Sequence, residues 1–89
     1  MIQAHVYFSG MVQGIGFRYT AQRMAHELRL VGWVRNLKDG RVEMMIQGDQ
    51  GHIEQLLKNI ERHFDAYIKN KEVLYQESLE VFKDLQIIM

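Results

Sequence analysis

The residues best suited to chemistry fall in one short segment, Gly10-Met11-Val12-Gln13-Gly14-Ile15-Gly16-Phe17-Arg18. Closely spaced glycines let successive backbone N–H groups turn toward one point, and a helix starting where the segment ends adds partial positive charge there. Arg18 contributes a planar fork of donors that can hold two oxygens of one anion. Together these have the chemistry of an oxyanion cradle, and a phosphoryl group would fit it. By spacing alone, however, the segment reads more readily as a plain strand-to-helix turn carrying a solvated cation. Asn36, near a hairpin, is by itself more readily a local turn or capping group than a ligand group.

Other chemistries find little support. The chain has no cysteine, which removes a thiolate nucleophile, a disulfide framework and a cysteine-based zinc site. His5, His26, His52 and His63 are scattered over different elements and read as surface or partly buried histidines, so no base or metal-ligand role is assigned to them. The aliphatic hydroxyls, Ser9, Thr20 and Ser78, do not adjoin a histidine, and a Ser-His triad is not expected.

The elements that must position the loop follow from hydrophobic period. Ile2, Ala4, Val6, Phe8 and Val12 share one side of a period-two pattern, with Gln3, His5, Tyr7, Ser9 and Gln13 on the other, which predicts a half-buried strand. A loop then runs to about Arg18. Phe17, Ala21, Met24, Ala25 and Leu28 have helical spacing, opposite a polar face of Gln22, Arg23, His26 and Glu27. Trp33-Val34 and Val42-Met44-Ile46 flank Asp39-Gly40, a pair that favours a tight hairpin turn. A second helix is expected from a cap at Asp49, with Ile53, Leu56, Leu57, Ile60 and Phe64 on one stripe. Two strands follow, one over Ile68 to Gln76 and one through Phe82, Leu85 and Ile87; Lys69 and Lys71 read as a solvated edge.

The order β-α-β-β-α-β, with a possible fifth strand, describes an α+β ferredoxin-like two-layer sandwich: an antiparallel sheet of four to five strands with two helices on one face. Eighty-nine residues make a single domain, residues 1–89, with 47% hydrophobic and 25% charged residues suiting a packed globule. Eleven basic and eleven acidic side chains cancel, so the broad positive field of a nucleic-acid or membrane-surface binder is missing. No apolar run approaches the roughly 20 residues needed to cross a bilayer, and no secretory signal is visible, so a cytoplasmic monomer without membrane or nucleic-acid partners is the expectation.

At this point the sequence resembles the acylphosphatase family. Val12-Gln13-Gly14-Ile15-Gly16-Phe17-Arg18 is similar to that family's loop signature V-Q-G-V-x-F-R, with Ile15 replacing a valine. Gly32-Trp33-Val34-Arg35-Asn36, Gly40-Arg41-Val42 and Gly48 match its second signature, G-W-V-x-N-x-x-x-G-x-V-x-x-x-x-x-G, without a gap. The resemblance covers residues 4 to 64 well and the rest loosely. It implies hydrolysis of acyl phosphates to a carboxylate and inorganic phosphate, without metal or other cofactor. It further implies that Arg18 and the loop Gln13, Gly14, Ile15, Gly16, Phe17 bind the phosphate and that Asn36 orients the attacking water.

Several positions depart from the family pattern. Arg29 stands where many members end the first helix with glycine, at an expected cost of about 1 kcal/mol in stability and none in activity. His63-Phe64-Asp65 replaces a Gly-Pro-Pro, Lys71 replaces an apolar strand residue, and Ile88-Met89 replaces a frequent Arg-Tyr end. The rival readings are a non-catalytic interaction module, an RNA-binding sheet stacking bases on aromatics such as Tyr7, and kinship with acylphosphatase-like domains at the front of larger maturation enzymes. The length favours a free-standing version over the last.

Overall fold

Alternating apolar residues and two amphipathic segments assemble here into one sheet covered on one side by two helices. The computed structural model describes all 89 residues. Its elements are β1 (Ile2–Gly10), α1 (Phe17–Glu27), β2 (Val31–Asn36), β3 (Val42–Gln47), α2 (Gln50–His63), β4 (Ile68–Glu77) and β5 (Leu85–Ile87). The sheet order is β4-β1-β3-β2-β5. Each helix therefore joins two strands that have a third lying between them, the split βαβ arrangement expected of a ferredoxin-like sandwich.

The expected sheet was purely antiparallel, and the structure corrects this: β5 runs parallel to β2, with Gly32 opposite Leu85 and Val34 opposite Ile87. The reason lies in where β4 ends. Glu77 pairs with Ile2 at the start of β1, and Ser78 N–H donates to Met1 O, so the chain leaves β4 at the end of the sheet where β1 and β2 begin. It crosses that end, held by Gln47, whose side chain donates to Glu80 O at 2.6 Å and accepts from Phe82 N–H at 2.9 Å. The crossing reaches the free edge of β2 at its first residues, so β5 can only run alongside it. Phe82 stays in the crossing, and the last strand is shorter than its apolar spacing predicts.

Between helices and sheet lies a core of 18 buried apolar residues, among them Val6, Phe8, Ala21, Val34, Met44, Ile53 and Leu85. At about 25 cal/mol per Å2 of apolar surface removed from water, this layer is the main favourable term in folding. Asp49 caps α2 as anticipated, its carboxylate accepting from His52 N–H at 3.2 Å. Lys71, on the inward side of edge strand β4, is half-buried and donates to Glu61 of α2 at 2.8 Å, while Lys69 is exposed.

Helix α1 stops at Arg29, which has a left-handed φ of 57°. Arg29 N–H donates to His26 O and Leu30 N–H to Ala25 O, the paired bonds of a Schellman stop. Leu30 is buried, so its packing holds an arginine in a conformation that glycine takes more easily.

Candidate active site

The loop between β1 and α1 owes its shape to backbone freedom. Gly14 and Gly16 have φ of 80° and 77°, and a Cβ built on either would meet nothing within 4 Å. Glycine is thus needed there for the left-handed conformation, not for room. Gly16 is the N-cap of α1, and no side chain caps the helix. The first helical bond is Thr20 N–H to Gly16 O at 3.0 Å, and the N–H groups from Gln13 to Arg18 donate to no group of the chain. With no acidic residue in the first turn of α1, the positive end of the helix dipole is not neutralised locally.

What fixes the start of α1 is Phe17. Its ring is buried between Phe8 at 5.1 Å and Phe64 at 4.8 Å, centroid to centroid. The next residue, Arg18, is half-buried and makes neither an ion pair nor a hydrogen bond with any side chain. On β2, alternation puts Val34 and Asn36 on the helix side and Arg35 on the other. Asn36 Oδ1 is buried with no hydrogen-bond partner. Leaving a buried acceptor unpaired costs about 1–3 kcal/mol, a cost that a polar group entering the neighbouring cavity would relieve.

That cavity has a volume of about 180 Å3. Gly14, Gly16, Phe17 and Arg18 line it from the loop and helix start, and Asn36 from the end of β2. Val12 is buried at its base, and no carboxylate lines it. At about 30 Å3 per water the space admits several small polar groups, enough for a tetrahedral anion with a water beside it. Two lining residues escaped the sequence reading: Tyr19, 68% exposed, and Ile87 of β5. Tyr19 could have been found, because it follows Arg18 on the first turn; Ile87 could not, because its place depends on the parallel run of β5.

Of the other loop residues singled out, Ile15 packs against the core, and Gln13 is exposed with its side-chain amide donating to Leu37 O and Arg41 O in the β2–β3 hairpin. Tyr7 lies on the opposite face of the sheet. Its hydroxyl donates to Glu43 at 3.0 Å, and the Arg41 guanidinium covers its ring at 4.5 Å from the centroid. The ring that a stacked base would need is therefore already occupied on one side.

The whole arrangement, loop and hairpin together, falls inside residues 4–87, which match the family model described as Acylphosphatase. The chain belongs to the acylphosphatase family. It is 41% identical over 80 residues to an acylphosphatase of Acaryochloris marina, taking in 90% of this chain and 86% of that one. An acylphosphatase of Nostoc is 56% identical over 48 residues, 54% of this chain and 48% of the relative. The chain spans about half the length of the first curated relatives it matches. In three dimensions it is similar to the crystal structure of the Bacillus subtilis acylphosphatase, with a TM-score of 0.92 and 30% identity over all of both chains. Acylphosphatase likeness thus reaches β4 and β5, where the sequence motifs are loosest.

Proposed function

We propose that this chain hydrolyses acyl phosphates, small carboxyl-phosphate mixed anhydrides, to a carboxylate and inorganic phosphate. The observation that carries the reading is that an unpaired guanidinium, Arg18, and a run of unpaired amides meet the orphaned amide of Asn36 around one cavity. The loop amides from Gln13 to Arg18 and the Arg18 fork bind the three non-bridging phosphoryl oxygens. The Asn36 amide orients a water in line with the scissile bond. The water oxygen forms its bond to phosphorus as the bond from phosphorus to the carboxyl oxygen breaks, and the electron pair leaves with the carboxylate. The proton of the water passes to a phosphoryl oxygen of the substrate itself.

A carboxylate of ordinary acidity departs without a proton from the enzyme, so positioning and charge stabilisation suffice. Neither metal nor cofactor enters this scheme. No helix is long and apolar enough to cross a membrane. We take the chain to act as a cytoplasmic monomer on a small diffusible substrate, with no nucleic-acid partner; the balanced charge supports the last of these.

The decisive assay follows the loss of benzoyl phosphate absorbance with wild-type protein and with Arg18→Gln. The wild type is expected to turn over and Arg18→Gln to lose at least about 100-fold, the scale of removing a transition-state donor. An inert wild type, or a fully active Arg18→Gln, overturns the reading.

A further inference from the structure

We propose that Gln13 is a positioning residue, whose side chain ties the phosphate loop to the β2–β3 hairpin and so sets where Asn36 stands relative to Arg18. The inference rests on the activity proposed above and adds to it a division of labour within the loop. Both N–H bonds of the Gln13 amide are used: Nε2 donates to Leu37 O at 2.7 Å and to Arg41 O at 3.0 Å. These two carbonyls belong to the residues that close the hairpin, since Leu37 N–H donates to Arg41 O at 2.8 Å. Leu37 directly follows Asn36, and Gln13 directly precedes Gly14.

Beyond the packing of Val12 and Ile15 on the core, the loop has no other polar tie to the hairpin. Gly14 and Gly16 have open space around them, and the amides from Gln13 to Gly16 make no bonds within the chain. The bonds from Gln13 are the only hydrogen bonds between this loop and the hairpin. One side is anchored through Phe17 in the core, the other through β2 in the sheet, and a single primary amide spans the gap between them. A donor on both N–H bonds and a side chain of this length are required. Glutamate keeps the length but presents acceptor oxygens to two carbonyl oxygens.

The test compares wild type with Gln13→Met, which keeps length without donors, and Gln13→Glu, using benzoyl phosphate turnover and competitive inhibition by inorganic phosphate. In Gln13→Met, kcat is expected to fall on the order of 10-fold, within the roughly 100-fold that a 1 Å misplacement can cost. Phosphate inhibition should weaken less than about threefold, because the amides and Arg18 that hold the anion remain. Gln13→Glu should lose more at neutral pH and recover part of its kcat toward acid relative to Gln13→Met, as its protonated carboxyl regains one donor. Phosphate inhibition weakening in step with kcat would make Gln13 a direct ligand and sink the proposal. So would normal kcat in either variant. Independently of turnover, the side-chain amide resonances of Asn36 should shift in Gln13→Met with phosphate bound. An inert wild type would overturn the proposed activity alone, and unmoved Asn36 resonances would overturn the tether alone.

Discussion

Arg35 donates its Nε to Glu43 across 2.7 Å on one face of the sheet, while the next residue along β2, Asn36, carries its amide into the cavity on the other. The two residues thus divide a strand end between a structural clamp and a candidate catalytic group. Glu43 is only 5% exposed, although no helix covers this face. His5 and Tyr7 from β1 complete the shell around its carboxylate.

The clamp makes stability depend on pH in a definite direction. Burial pushes the Glu43 carboxyl up, but bonds from His5, Arg35 and Tyr7 outweigh it and hold the group below its ordinary value of 4.5. A carboxyl that binds its proton more weakly when folded contributes stability above its unfolded pKa and loses it as pH falls through the folded value. Thermal melting of wild type and Glu43→Gln should therefore differ most near neutral pH, and the gap should close as pH falls from 4.5 through the depressed folded value of Glu43. A constant gap across that range would remove the ionised clamp from the account.

Arg18→Lys is expected to fail as badly as Arg18→Gln in the benzoyl phosphate assay, at about 100-fold or more. An ammonium keeps the charge but is a point donor, not a fork matched to two oxygens. Near-normal turnover of a folded Arg18→Lys protein would show that charge alone is enough.

For Asn36→Ala the expected result is near-complete loss of kcat with competitive inhibition by inorganic phosphate largely kept. The residue lines the cavity from β2, apart from the loop amides, and a group that places water contributes to the reacting geometry more than to anion binding. Equal loss of phosphate affinity would assign Asn36 to the cradle.

Arg29→Gly should stabilise the fold by about 0.5–1 kcal/mol, from relief of the left-handed arginine set against glycine's greater freedom when unfolded. In a domain of this size that is a rise of about 2–8 °C in Tm. Turnover should not change, because the position is at the far end of α1 from the cavity. An unchanged or lower melting temperature would mean that the Schellman stop already absorbs the strain.

The sequence by itself determined the local pieces. The glycine spacing at Gly14 and Gly16 and the arginine after Phe17 specify a loop and a helix start because they act through φ and through neighbours a few residues away. Asp49 as a cap and the Asp39-Gly40 turn were legible for the same reason, while the left-handed Arg29 was anticipated only through the family's glycine at that position. Only the tertiary structure decided what depends on partners far along the chain. The parallel run of β5, and with it Ile87 at the cavity, follows from the crossing held by Gln47. Period two assigned Gln3 to a polar face, yet it is buried, as are Glu43 and Gln47, because the cluster around Glu43 and the crossing segment cover them. Gln13 looked like one more loop residue until the hairpin carbonyls came within reach of its amide. Periodicity and propensity report which way a side chain points on its own element. What it meets there is set by long-range pairing of strands, which no local pattern encodes.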